Sequence, residues 1–192
     1  MSNLANAVFK YRSYSPIPFL IVMLVFQQAT LPSILIGFAV SLTGEIFRLW
    51  GVSYAGSETR TTGGVGGTYL VISGAFSYVR NPLYLGNILL YLGIGIMSMA
   101  LFPWLQIVAF GFFYFQYRVI ISQEEAYLEK TFGPDFEDYK KNVPRFIPRL
   151  TAYKNEKVQQ PSYNLKAGLR SERRSLQAFS LVTLILIIMY LV

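Results

Sequence analysis

The chain contains no cysteine and no histidine among its 192 residues. Lack of cysteine excludes disulfides, a thiol nucleophile and thiolate metal sites. Lack of histidine excludes imidazole-based catalytic triads and imidazole metal ligation. Asp and Glu alone would have to hold any metal, and no cluster of them demands one, so no metal site is expected. Charge is scarce as well: 14% of residues are charged and 53% hydrophobic, with a mean hydropathy of +0.40. That balance is too apolar for an ordinary soluble domain and indicates a polytopic membrane protein.

What is present is a set of apolar runs separated by basic segments. Runs near residues 17–29, 31–50, 82–101, 104–121 and 175–192 read as about five transmembrane helices of an all-α protein. About 20 helical residues cross a ~30 Å hydrocarbon layer. The first run is short, opens with Pro16-Ile17-Pro18 and follows Lys10 and Arg12, a pattern that also suits a signal peptide. The second run comes within a few residues, which favours an uncleaved first helix. Phe102-Pro103 leaves so short a turn that the third and fourth runs must be antiparallel neighbours.

The polar segments divide the chain further. Residues 1–150 read as one membrane domain, 151–174 as a basic connector on the membrane surface or partly disordered, and 175–192 as an additional C-terminal span. The stretch Thr61–Gly67 is glycine-rich, but it has neither a following Gly-Lys-Ser/Thr nor a Gly-x-Gly-x-x-Gly register. It reads equally as a flexible loop over a cofactor or a plain linker. Tyr69–Ile72 suits a short extended piece. Residues 122–142 have a helical period interrupted at Gly133-Pro134, a stop followed by a new first turn.

Every Lys and Arg lies before the first run, between the second and third, between the fourth and fifth, or at the adjoining helix ends. The positive-inside rule then places the N-terminus and both large polar segments in the cytoplasm and the C-terminus on the opposite side. The net charge of +7 is spread between membrane spans, so anionic lipid head groups, not nucleic acid, are the expected partner.

Arg80-Asn81-Pro82-Leu83-Tyr84-Leu85-Gly86 stands where a polar segment becomes an apolar run. Pro82 suits the first turn of a helix, and Asn81 before it suits the cap. Arg80 then sits beside a helix N-terminus, whose free N–H groups favour anions. The alternative is an ordinary start of a membrane helix, with Arg80 as interfacial anchor and Tyr84 in an aromatic belt. On that run Tyr84, Asn87 and Tyr91 share one face, and Gly86, Gly93 and Gly95 permit close helix approach or leave room for a ligand. Glu45 and Arg48 stand three apart and can pair on one face. The adjacent acids Glu124 and Glu125 point in different directions on a helix. They read either as surface acids or as a grip on a cationic ligand, with Glu125 sharing the face of Arg118.

Arg80–Gly86, then Glu124-Glu125, then Phe132-Gly133 and Tyr139 to Pro148, resemble the isoprenylcysteine carboxyl methyltransferase and phospholipid methyltransferase superfamily. The resemblance covers roughly residues 56–148. It implies an integral membrane enzyme with S-adenosylmethionine bound in a cytoplasmic pocket and a lipid or lipid-linked substrate entering from the bilayer. By the same resemblance, Arg80, Asn81, Pro82, Tyr84 and Gly86 match the cofactor box, Glu124 and Glu125 the acidic pair near the methionine moiety, and Arg145 a residue that orients substrate. Arg80, Glu125 and Arg145 are the expected catalytic residues. The isoprenylcysteine branch usually carries histidine where Asn81 stands, whereas the phosphatidylethanolamine branch can carry Asn-Pro.

The expected reaction is methyl transfer to a carboxylate or amine acceptor. An in-line displacement from a sulfonium needs orientation and exclusion of water more than acid–base groups. Tyr84, Tyr91 or Tyr114 could face the sulfonium. The competing readings are an NADPH-dependent membrane reductase of the sterol-reductase type, for which only Arg60, Arg80 and Arg118 are well placed as phosphate ligands, and a non-catalytic membrane protein of the same fold.

Overall fold

A computed structural model describes residues 3–56 and 69–192. The glycine-rich stretch Thr61–Gly67 and Arg60 lie outside the described residues. The elements are α1 (Asn3–Tyr11), α2 (Pro16–Val25), α3 (Leu31–Ala55), a 3-10 turn (Gly74–Ser77), α4 (Pro82–Ser98), α5 (Trp104–Phe132), α6 (Pro134–Asn142) and α7 (Leu165–Leu191). The described residues contain helices and no strand, an all-α architecture as expected, and Tyr69–Ile72 belongs to no helix. Helices α3, α5 and α7 are long and apolar enough to cross a membrane; α2 and α4 are shorter apolar helices. The break at Gly133-Pro134 separates α5 from α6, with Gly133 at φ +49°.

The chain forms two compact units. The first comprises residues 1–45, 86–120 and 174–192. Its core is Met23, Ile34, Leu90, Ile94, Met97, Ala100, Phe179, Val182 and Leu186. In this unit α3 and α4 meet along a seam of small residues. A methyl group on Gly37 would lie 2.5 Å from the Met97 nitrogen, one on Gly44 2.5 Å from the Gly86 carbonyl oxygen, and one on Gly93 2.5 Å from the Gly37 carbonyl oxygen. The seam also satisfies polar groups: Ser41 Oγ donates to the Leu90 carbonyl at 3.1 Å and Ser33 Oγ to the Met97 carbonyl at 3.2 Å. Lipid supplies no hydrophobic drive between helices, so close backbone approach and interhelical hydrogen bonds carry the association. Outward-facing residues are apolar, including Leu35, Ile36 and Phe38 on α3 and Ile107, Val108 and Phe115 on α5. Such a surface suits a bilayer, not water.

The second unit comprises residues 46–85 and 121–173. Leu70, Ile72, Phe136, Tyr139 and Val143 form its core. Residues 144–164, which include the first part of the 151–174 segment read as a surface-lying or partly disordered connector, are a strap bonded to the rest of the unit. The N–H groups of Arg149, Tyr153 and Asn164 donate to the carbonyls of Tyr78, Ser77 and Ser53 at 2.9, 2.9 and 2.8 Å. Gln160 accepts from Ile72 N–H at 2.8 Å and donates to the Leu70 carbonyl at 2.9 Å. Asn164 then caps α7, its Oδ1 accepting the Ala167 N–H at 2.9 Å, so the helix begins ten residues before Ser175. Arg48 donates to Glu172 Oε2 from Nε at 3.2 Å and from Nη2 at 2.5 Å, which ties that first part of α7 to α3.

Candidate functional site

The N-terminus of α4, the C-terminal part of α5, the end of α6 and the strap converge in the second unit. Pro82 opens α4 and is fully buried, and the Leu85 N–H donates to the Asn81 carbonyl at 3.0 Å. Asn81 is therefore the turn-initiating residue, but its side chain does not serve the helix. Its Nδ2 donates to the Arg145 carbonyl at 3.2 Å and fixes the strap.

Glu125 is the centre of the arrangement. It is 5% exposed, and its carboxylate takes Arg80 Nε on Oε1 at 3.1 Å, Arg145 Nε on Oε1 at 3.2 Å and Arg145 Nη2 on Oε2. Three of its roughly four lone-pair sites are thus occupied by guanidinium donors. Arg80 is held from its other side too: Nη1 donates to the carbonyls of Lys140 at 2.5 Å and Val143 at 2.9 Å. These carbonyls belong to the end of α6, where helix oxygens lack partners and the dipole is negative. The Arg80 N–H completes the frame with the Pro144 carbonyl at 2.9 Å.

Successive helical positions lie ~100° apart, so Glu124 faces elsewhere. Its Oε1 accepts the Tyr84 hydroxyl at 2.7 Å. The structure thus brings together Arg80, Asn81, Tyr84, Glu124, Glu125 and Arg145, with Pro82 as their structural base. Gly86 falls in the first unit, where its carbonyl abuts Gly44 in the α3–α4 seam. The other aromatic candidates lie in that unit as well: the Tyr91 ring is 4.6 Å from that of Phe113, and the Arg118 guanidinium lies 6.0 Å from the centre of the Tyr114 ring.

Tyr139 was legible as part of the Tyr139–Pro148 pattern but had no assigned role. Its buried hydroxyl donates to the Phe76 carbonyl at 2.7 Å. Burial pushes its pKa far above the usual tyrosine range; Arg80 pulls it down, and Glu125 and Tyr153 raise it further. The carbonyls of Lys140 and Val143 were not legible at all, because any residue type supplies a carbonyl. No group of three or more acidic side chains placed to hold a metal occurs among the described residues.

Three helices long and apolar enough to cross a membrane, and shorter apolar ones, among them α4 with the arginine–carboxylate network at its start, define an integral membrane protein. Residues 32–135, just over half of the chain, match the phospholipid methyltransferase family, and the chain belongs to that family. It is 35% identical over 109 residues to the cobalt-zinc-cadmium resistance protein CzcN of Cupriavidus metallidurans, covering 57% of this chain and 46% of that protein. It is 32% identical, with the same coverage, to the nickel-cobalt-cadmium resistance protein NccN of Alcaligenes xylosoxydans xylosoxydans. It is also 37% identical over 84 residues to the protein-S-isoprenylcysteine O-methyltransferase of Schizosaccharomyces pombe, covering 42% of this chain and 34% of that enzyme. The chain thus matches less than half the length of each of these relatives. No solved structure matches it. The family match contains Arg80–Gly86 and Glu124-Glu125 and stops before Arg145.

Proposed function

We propose that the chain transfers a methyl group from S-adenosylmethionine to a carboxylate or amine of a membrane-embedded lipid or lipid-linked small molecule. The observation that carries this reading is the buried Glu125 carboxylate, held between Arg80 and Arg145 beside the Tyr84–Glu124 pair. The donor set fits the methionine part of the cofactor: guanidinium nitrogens suit a carboxylate and a side-chain carboxylate suits an ammonium. Arg80, Asn81, Tyr84 and Glu124 would hold the cofactor, which supplies an electrophilic methyl group on a sulfonium.

Glu125 acts as a positioning residue: its charge orients both guanidiniums and balances one of them. Among the described residues neither Arg80 Nη2 nor Arg145 Nη1 has a hydrogen-bond partner, so each arginine keeps a donor for an anionic ligand. Arg145 orients the acceptor, and Asn81 holds the strap that carries Arg145. A carboxylate acceptor needs no general base, whereas an ammonium must first lose a proton.

Calorimetric titration of the detergent-purified protein with S-adenosylhomocysteine, and separately with NADPH, tests the reading. Binding of S-adenosylhomocysteine is expected. Binding of NADPH alone would make the chain a reductase, and binding of neither would make it non-catalytic. The one-sided distribution of basic residues supports a cytoplasmic N-terminus and site with the C-terminus opposite. Reporter fusions after Lys154 and after Val192 are expected to report opposite sides.

A further inference from the structure

We propose that residues 146–150 form a membrane-docking loop, in which Ile147 and Leu150 enter the boundary between head groups and acyl chains while neighbouring basic residues bind anionic phospholipids. The inference holds whether or not the chain transfers methyl groups. Ile147 is 78% exposed and Leu150 98% exposed, and neither belongs to a helix. Large aliphatic side chains standing free of a polar segment are costly in water and suit the apolar side of an interface.

The loop is rigid enough to present them. Its base is bonded backbone to backbone, Arg80 N–H to the Pro144 carbonyl and Arg149 N–H to the Tyr78 carbonyl, both at 2.9 Å. Arg149 Nη1 also closes onto the Asn142 carbonyl at 3.1 Å. These anchors fix where the loop lies. Tyr78 and Arg80 precede Pro82, the first residue of α4, by four and two positions. The loop is therefore fastened where the chain enters an apolar helix, which is the level of the head groups.

Charge selects the lipid. From Lys140 to Lys157 there are six basic residues and one acid, Glu156. Lys141, Lys154 and Lys157 are exposed. Of the three acids of α6, Asp135 and Glu137 lie in its first turn and Asp138 follows, while the lysines lie in its last turn. Apolar tips inside a basic surround match an anionic leaflet, in which each basic residue near the surface adds attraction.

The absence of cysteine allows single-site labelling. Ile147→Cys and Leu150→Cys, with Glu137→Cys as an exposed reference, would carry an environment-sensitive nitrobenzoxadiazole label. The proteins would be studied in nanodiscs of phosphatidylcholine with or without phosphatidylglycerol, one copy per disc. A lipid bearing a nitroxide near its head group would serve as quencher, with folding checked by thermal melt. Labels at 147 and 150 are expected to be blue-shifted and to lose more than half of their emission to the nitroxide lipid; the label at 137 is expected to do neither. Phosphatidylglycerol is expected to deepen the quenching, and Lys141→Gln combined with Lys154→Gln to abolish that increment. Water-like emission at both 147 and 150 would overturn the proposal. So would a blue shift that the nitroxide lipid leaves unquenched and that appears only with two copies per disc, since the loop would then be a contact between copies.

Discussion

Arg145 engages both oxygens of the Glu125 carboxylate, with Nε on Oε1 at 3.2 Å and Nη2 on Oε2, while Arg80 adds Nε to the same Oε1. The two adjacent acids of α5 therefore have different work, and their glutamine variants should differ in kind. Glu125→Gln removes the shared partner of two cations and is expected to destabilise the fold by about 3–5 kcal/mol, as for one side of a buried pair. Glu124→Gln is expected to leave the melt nearly unchanged and to weaken S-adenosylhomocysteine binding by roughly ten- to hundredfold, the ~1.5–3 kcal/mol of a hydrogen bond to a charged group. Melts and titrations of each variant check this. Wild-type affinity in folded Glu124→Gln would remove that residue from the site.

Arg80 uses its planar fork in two directions, toward Glu125 and toward the carbonyls ending α6. A lysine keeps the charge but cannot make these contacts from fixed nitrogens. Arg80→Lys is expected to lower the melting temperature and weaken S-adenosylhomocysteine binding at least about tenfold, equivalent to ~1.4 kcal/mol. If titration of the lysine variant matches wild type, Arg80 is only an interfacial anchor.

The α3–α4 seam leaves no room for a methyl group at Gly93, which would meet the Gly37 carbonyl oxygen at 2.5 Å. Gly93→Ala is expected to cost about 1–3 kcal/mol by forcing the helices apart. Gly111→Ala is the control. Nothing lies within 4 Å of a methyl at Gly111, so the higher helix propensity of alanine should be neutral or stabilising by up to about 1 kcal/mol. Equal melts for the two variants would mean that the seam is not tightly closed.

Tyr139 sets an alkaline limit on the second unit. Burial raises its folded-state pKa above the unfolded value of about 10. Above that pH the native chain binds more protons than the unfolded one at this residue, so stability falls as pH rises; below it the contribution is fully present. Tyr139→Phe is expected to cost about 1 kcal/mol at neutral pH through the lost bond to Phe76 and to flatten the decline above pH ~10. Melts of both proteins across that pH range check it, and parallel declines would exclude Tyr139 as the titrating group.

Local chemistry made much of this arrangement readable in the sequence. Pro82 starts α4 because its ring fits a first turn, and Gly133-Pro134 breaks the helical period where α5 gives way to α6. The members of the arginine–glutamate network were legible as separate pieces. Their mutual geometry was not, because Arg80 and Arg145 meet Glu125 across 45 and 20 residues of chain. Residues 165–174 read as a polar connector from composition alone. They are helical because Asn164 caps them and because Gly168 sits against Ser53, contacts that no local pattern carries. Gly86 matched a motif, yet its observed contact is the α3–α4 seam.

The Arg48–Glu172 pair also has a history within each round of synthesis. The two residues are 124 positions apart. At ~5–20 residues per second, translation reaches Glu172 roughly 6–25 seconds after Arg48. During that interval α3 carries its guanidinium into the membrane before the Glu172 carboxylate exists. Something other than Glu172 must answer the charge meanwhile, and the long side chain can reach the head groups. The α3–α4 seam can close as soon as α4 is made, whereas the Arg48–Glu172 contact has to wait for α7.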